Sequence, residues 1–473
     1  MPKTTNNLTN SLIIRLSKAE ITALGKYLKS PFFSNKHHLY LLFNALKNTP
    51  TRQKENIFAQ IFPGKAFNQH KWNKALSDLN QCIRDFLATR QFQQRRDIHR
   101  LMEAEALFLR DNYTFFQRTA HDLLKETPGK TTLDRPEVWW VRFQVKILES
   151  THPLSNRIKG IDDTLNNIER SLDTYYFISK LQIACNRLSG TNVLNWKDSQ
   201  ENLVQLLAQA NLVGQTDQSP LLKTYCSLTG LMANAGVAFE DFFEVLQLHA
   251  SQLEPKELWN VVYMAFNYCS SYLRFEPKQA LDWYLKLFEF STTHQIFGAS
   301  IWEDAFLNFG VIFAKAGNKV EFDRLLHLDD SHLPEERRKE AVNLISAYWS
   351  FYHQDYLEVQ EKLVKISTRH PRYALMWHAL NVRNIVMLFI EGKYINYSHV
   401  ENALNRFKDF LKGQTAFSEL LCKSFVELIW FIQKICQVWR YRRLTKEILF
   451  KELDKRQPAS RDWIELVLNR LPN

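Results

Sequence analysis

The sequence predicts an all-α protein, a right-handed α-solenoid of stacked helix pairs preceded by a small helical module. Three observations carry this expectation. Glycine is scarce, 13 in 473 residues, and proline adds only 14. A strand-rich fold needs turn residues every ~8–12 positions, which this chain does not supply. Apolar residues recur at helical spacing, with no alternating strand of useful length. Short polar or glycine-bearing turns return near Asn112, Pro153, Gly190, Gly236, Glu276, Gly317, Asp355 and Gly392, about every 40 residues. A period of about 20–50 residues marks an array whose units bury their apolar faces on their neighbours, and about 40 residues hold two helices and two turns.

The elements follow in order. Residues 1–11, which begin Met1-Pro2-Lys3-Thr4-Thr5, are expected to form a flexible N-terminus. Ser17-Lys18-Ala19-Glu20 is a capping box, in which the serine hydroxyl and the glutamate carboxylate satisfy free amides of a first helical turn. Ile21, Leu24 and Leu28 continue the stripe. Ser30-Pro31 ends it, because a residue before proline is pushed out of the α region. Phe62-Pro63-Gly64-Lys65 reads as a turn. The cleanest helix runs from Asn68 to Leu87: Trp72, Leu76, Leu79, Ile83 and Phe86 share one face, with Lys71, Lys74, Asp78, Gln81 and Asp85 on the other. Residues 12–95 are therefore read as a basic module of about four helices, and 96–473 as the repeat solenoid.

Within the repeats, Pro136, Pro255, Pro277 and Pro334 each sit where proline suits a first helical turn. Leu107 to Tyr113, Phe313 to Asn318 and Phe351 to Tyr356 each join an aromatic-rich helix to a second helix through a tight polar turn. This αα-hairpin is the unit of tetratricopeptide-like solenoids. The strict 34-residue consensus is not met, so the repeats are degenerate.

Several segments also resemble a family of uncharacterised bacterial proteins with degenerate tetratricopeptide-like repeats. They are Leu16-Ser17-Lys18-Ala19-Glu20, Ser30-Pro31-Phe32-Phe33-Ser34-Asn35, Ile61-Phe62-Pro63-Gly64-Lys65 and Ser77-Asp78-Leu79, then Phe351-Tyr352-His353-Gln354-Asp355-Tyr356 and Phe389-Ile390-Glu391-Gly392-Lys393-Tyr394. The resemblance implies a helical solenoid and transfers no functional residue.

The six cysteines include no C-x-x-C pair; the closest two, Cys422 and Cys436, lie 14 residues apart. They read as reduced core thiols in a reducing compartment. The N-terminus lacks the apolar stretch of a signal peptide, and the longest uniformly apolar run is Ile385–Ile390, far short of the ~20 residues of a membrane span. A cytoplasmic protein without membrane insertion is expected. The net charge of +11 is localised: residues 1–130 hold 21 Lys+Arg against 10 Asp+Glu, and the rest of the chain holds 40 of each. Such asymmetry can mark an acidic partner such as nucleic acid, an acidic protein or a membrane surface, but a solubilising face is the favoured reading.

Phosphate-loop, dinucleotide-turn and H-E-x-x-H motifs are missing from the sequence. His37-His38 is the one adjacent histidine pair, and neighbours on a helix point apart. Asp162-Asp163, Asp329-Asp330 and Glu335-Glu336 suit turns and first helical turns, where negative charge opposes the helix dipole. Trp139-Trp140 and Trp283-Tyr284 read as packing between repeats. Two basic stretches remain, Arg95-Arg96 with His99 and Arg100, and Trp439-Arg440-Tyr441-Arg442-Arg443 with Lys446. The latter suits either phosphate contact with base stacking or a capped core with arginines in water.

The favoured reading is a non-enzymatic scaffold that binds an unidentified protein or peptide, with no catalytic, cofactor or metal residue to name. The alternative is a nucleic-acid-associated regulator that binds through its basic N-terminal module, with Lys71, Lys74, Arg95 and Arg96 as the candidate contacts.

Overall fold

The computed structural model describes residues 5–32, 36–48, 53–126, 128–152, 161–191, 203–216, 219–272, 277–296, 303–327, 335–393, 396–441 and 446–471. The protein is all-helical, and among the described residues only two isolated bridges, Pro128–Thr132 and Asp134–Leu253, have β character. The chain divides into two compact units, one made of Met1–Leu124 with Ile147–Asn156, the other of Lys125–Lys146 with Arg157–Asn473.

The first unit contains α1 (Thr5–Ile14), α2 (Lys18–Lys29), α3 (His37–Asn48), α4 (Lys54–Ile61), α5 (Gln69–Gln94), α6 (Arg96–Phe108) and most of α7 (Tyr113–Lys125). The capping box opens α2: the Ser17 amide donates to Glu20 Oε2 at 2.8 Å and the Glu20 amide donates to Ser17 Oγ at 3.3 Å. Asn68 caps α5 by accepting from the Lys71 amide, and Trp72, Leu76, Leu79, Ile83 and Phe86 are all buried. They close a self-contained core that runs from Ile13 to Phe86. Two boundaries differ from the sequence reading. Residues 5–11 are not a loose tail but part of α1, which packs on α3 and α5 and buries Thr9 and Ile13. The unit also continues past residue 95, because α7 holds to α6 through the Phe108–Phe116 ring contact at 5.6 Å and the Arg100–Asp122 ion pair at 3.1 Å.

The rest of the chain forms α8 (Pro136–Thr151), α9 (Ile161–Thr191), α10 (Leu203–Thr216), α11 (Pro220–Met232), α12 (Phe239–His249), α13 (Pro255–Tyr272), α14 (Pro277–Thr293) and α15 (Glu303–Ala316). After these come α16 (Lys319–Leu326), α17 (Glu335–Tyr352), α18 (Tyr356–Leu363), α19 (Pro371–Ile390), α20 (Tyr397–Lys412), α21 (Glu419–Tyr441), α22 (Lys446–Lys455) and α23 (Arg461–Arg470). Each odd-numbered helix from α9 to α21 packs on the even-numbered helix after it. Odd helices also pack on one another, α9 on α11, α11 on α13, α15 on α17, α17 on α19, α19 on α21 and α21 on α23. One continuous core results, from Trp139 to Leu471. Rings carry much of it: Phe239 stacks on Trp283 at 4.7 Å and Phe288 meets Phe313 at 4.7 Å, so Trp283 and Tyr284 are core residues, as is Trp139, whose indole donates to buried Asp134 at 2.7 Å.

The turns share one chemistry. The amides of Asn112, Ala235, Ile296, Asn318, Asp355 and Lys393 each reach back five residues to a helical carbonyl. The residue before each amide has left-handed φ: Asp111, Asn234, Gln295, Gly317, Gln354 and Gly392. This is the Schellman closure, which satisfies carbonyls left free at a helix end. Only two of the six are glycine, so a chain poor in glycine still turns this often. Three expected turns and one expected first-turn proline differ or fall elsewhere. Gly190 lies in the last turn of α9, which runs on to Thr191, and Pro153, Glu276 and Pro334 lie outside the described residues.

α19 is long and apolar enough to cross a membrane by composition, yet 67% of that stretch is buried inside the protein, including Asn381, Arg383 and Asn384. It is a core helix, and no other described helix has such length and apolarity.

Candidate functional site

A cavity of about 650 Å³ lies among α10, α11 and the turn into α12. It exists because small residues stand where three elements meet. Gly230 lets the turn close on α11, where a Cβ would fall 2.6 Å from Val237 Cγ2. Gly236 supplies left-handed φ at +80°, and Gly214 faces Leu222. The floor is apolar, with Leu207 and Val245, and the rim offers Asn211, Gln215, Lys223 and Asp241. The flanking helices expose Val204, Leu212 and Leu248. Burial pushes the Cys226 thiol in its wall up to about 12, so it stays protonated and inert as a nucleophile. The arrangement offers apolar contact bordered by amide and charged groups, which suits a few side chains of a peptide.

Beneath this groove α9, α11 and α13 are tied by polar contacts. Gln182 Nε2 donates to Glu257 Oε2 at 2.7 Å and the Tyr225 hydroxyl donates to the same oxygen at 3.2 Å. Burial raises the Glu257 carboxyl above its usual range. The carboxylate holds three helices in register rather than facing open space. Sequence reasoning missed this cluster, since its members are 43 and 32 residues apart.

The N-terminal candidates do not converge. Lys71 and Lys74 stand near the start of α5, whereas Arg95 closes that helix and Arg96 opens α6. At 1.5 Å per residue these pairs are roughly 36 Å apart. What surrounds Lys71 is a different group from the one expected. Lys71 Nζ lies 4.2 Å from the Phe62 ring centre, and contact with the Lys65 amine holds it below the usual lysine range. Lys54 Nζ lies 5.5 Å from the Phe67 ring and donates to Gln69 at 3.0 Å. The His38 ring lies tilted against the Phe62 ring, 5.4 Å between centres. Lys54 and Lys65 were not singled out from the sequence; their signal is that Lys54 precedes the aromatic segment Phe58, Phe62 and Phe67 and Lys65 lies within it, between Phe62 and Phe67. Asp78 on α5 pairs with Lys36 at 2.6 Å, which offsets part of the positive charge.

Of the C-terminal basic stretch, Trp439 is half-buried against the core. Arg442 and Arg443 lie outside the described residues, as do the side chains of Arg440 and Tyr441. No family model, curated protein or solved structure matches the chain.

Proposed function

We propose that the protein is a non-enzymatic interaction scaffold of the cytoplasm, a right-handed solenoid of degenerate tetratricopeptide-like repeats that binds a protein or peptide. The observation that carries the reading is the alternation of packing from α9 to α23, in which odd-numbered helices stack on one another, with α13 and α15 meeting through the Phe266 and Phe309 rings at 4.6 Å. The stacked helices α11, α13, α15, α17, α19 and α21 begin on average about 40 residues apart, which supports the repeat period. Stacked pairs create long surfaces suited to extended partners. The groove among α10–α12 is the first place to look. A photo-cross-linking side chain at Asn211, in the groove, is expected to trap one discrete protein in cells. The same probe at Glu361, an exposed position on α18, is expected to trap none. Equal yields at both positions, or none at Asn211, would sink the reading.

A second reading, nucleic-acid binding through the first unit, has one observation in its favour: Lys71 over the Phe62 ring, Lys54 over the Phe67 ring, and Lys65 in contact with Lys71. It predicts binding of DNA or RNA that weakens steeply with salt and is lost when Lys71, Lys74, Arg95 and Arg96 become Glu. Because those four residues stand at two ends of α5, reversal of Lys54, Lys65 and Lys71 alone should have the larger effect. Equal loss from reversal of Arg95 and Arg96 would point to a different surface.

A further inference from the structure

Helix α9 is apolar on two opposite faces. One face is turned into the core: Phe177, Ile178, Leu181, Cys185 and Leu188 are buried, and the helix packs on α10, α11 and α13. The other face carries Leu165, Leu172, Tyr176 and Ile183, each between 41% and 53% exposed. At about 100° per residue, their spacing puts all four within about 20° of one line along the helix. That line is about 27 Å long at ~1.5 Å per residue. A helix that is apolar all round is normally buried all round. Exposed apolar residues scattered singly need no partner, but residues gathered in one stripe mark a contact surface.

The charges beside the stripe are divided along it. On one flank Glu169 and Asp173 come first, and Lys180 and Arg187 follow. Lys180 Nζ lies 5.5 Å from the centre of the Tyr176 ring, so its charge borders the stripe directly. Burial and the neighbouring Glu169 hold the Asp173 carboxyl above its usual range, as befits two carboxylates side by side. Among the described residues none of these four side chains is ion-paired. The other flank, with Ile168, Ser179 and Asn186, is uncharged.

The stripe reads alike in both directions. Leu165 and Ile183 lie nine residues to either side of Thr174, and Leu172 and Tyr176 lie two. A second copy laid antiparallel about a two-fold axis at that level sets Leu165 on Ile183 and Leu172 on Tyr176, each twice. This is the self-complementarity that a two-fold interface requires. Antiparallel helices bring like flanks together, so Glu169 comes opposite Lys180 of the second copy, and Asp173 comes between its Lys180 and Arg187. A parallel copy would set the charged flank on the uncharged one and pair nothing. Flanking charges of this kind decide the orientation of helix pairs.

We propose that the outer face of α9 is a self-association surface and that its occupant is a second copy of this chain, bound antiparallel. Leu165, Leu172, Tyr176 and Ile183 form the apolar contact, and Glu169–Lys180 pairs set its direction. One helix face of this length falls short of the ~800 Å² per partner of a standard interface, so the dimer is weak and reversible, with a dissociation constant on the order of 10 μM.

Light scattering and sedimentation of the full chain should show monomer passing to dimer between about 1 and 200 μM. Leu172→Glu alters an exposed position, so it should leave the melting curve in place and weaken the dimer about 100-fold or more, because each copy then buries a charge at the centre of the contact. Glu169→Lys should weaken it about 5-fold, and the double variant Glu169→Lys, Lys180→Glu should recover that loss, because each charge again meets its opposite. Orientation is read by mixing Leu165→Cys chains with Ile183→Cys chains and oxidising them: the mixed disulfide is expected. A chain that stays monomeric throughout overturns the proposal, whether another part of the chain or an unrelated protein covers the stripe. A dimer indifferent to Leu172→Glu, a double variant no better than Glu169→Lys, or a disulfide between like chains overturns it as well. None of these outcomes bears on the Asn211 cross-link, so the scaffold reading and the dimer fail separately.

Discussion

The two units use charge and glycine in different ways. The first holds most of the chain's excess positive charge, 19 Lys+Arg against 10 Asp+Glu. In the second, charges brace helices that are distant in sequence. Glu303 takes Arg337 at 3.3 Å and the Tyr373 hydroxyl at 2.7 Å, Asp304 takes Arg372 at 2.8 Å, and Asp462 takes Lys315. Stacked helices bring their ends side by side, so an ion pair there joins one pair of helices to the next. The small closed core of Ile13–Phe86 has no such row of ends, and its lysines remain on the surface. Glycine divides likewise. Gly25 in α2 meets only Tyr40 and Phe43 at ordinary distances, 3.8 and 3.9 Å from a built Cβ, whereas a Cβ at Gly310 in α15 would fall 2.4 Å from Ile345 Cγ2 of α17.

That contrast gives the largest expected effect. Gly310→Ala must part α15 from α17 and is expected to lower stability by about 3 kcal/mol, the upper end of overpacking costs. Gly25→Ala should raise stability by about 0.5–1 kcal/mol, the helix-propensity gain of alanine over glycine. Denaturant unfolding of both variants checks the pair. Ile345→Ala in the Gly310→Ala background should recover part of the loss. If Gly310→Ala is neutral, the close approach of α15 and α17 is not what holds these repeats together.

A smaller effect concerns protonation. His378 of α19 stacks on Phe407 at 5.5 Å and Phe410 at 4.9 Å, and burial, with Arg406 nearby, pushes its pKa down to about 4. A base held below its ordinary 6.5 stabilises the fold at neutral pH, and that stability is lost as the pH falls from 6.5 towards 4. His378→Phe keeps a ring in the stack and removes the charge change. The unaltered chain should lose about 1 kcal/mol more than the variant between pH 7 and pH 5, after discount for partial exposure. Thermal unfolding at the two pH values measures it. In the first unit, burial also lowers His38, which lies tilted against Phe62, so His38→Phe should act in the same direction. A pH effect confined to His38 would reverse the comparison.

Local signals made much of this fold legible. The Ser17–Glu20 box, the Asn68 cap and the Trp72–Phe86 stripe each concern residues within one helix, and each appears as read. Turns at Gly317 and Gly392 were legible because glycine marks a left-handed residue, and Asp355 because it caps the next helix. Long-range features were not. The cavity needs Gly214, Gly230 and Gly236 from three elements, the Lys54–Lys65–Lys71 group needs α4 folded against α5, and the Lys315–Asp462 ion pair joins α15 to α23. Periodicity within one helix carries no record of which helices meet. The extent of α1 was missed for a related reason: Thr9 reads as polar tail until α3 and α5 cover it.

The smallest expected effect asks whether the shared turn is local. Gln354 has φ +66° and Asp111 has φ +54°, one in each unit, and each ends a helix by the same five-residue return bond. A non-glycine residue in this region is strained against its own Cβ, by about 1–2 kcal/mol, and aspartate less so because its side chain bonds locally. Glycine removes that strain and loosens the unfolded chain, which gives back part of the gain. Gln354→Gly should therefore stabilise by about 0.5–1 kcal/mol, and Asp111→Gly by less, about 0.3 kcal/mol. Both gains should appear in denaturant midpoints with the m-value unchanged, since no surface is newly buried. If Gln354→Gly instead destabilises, its side chain holds the turn against the stack. The closure would then be a local device in the first unit and a tertiary one in the second.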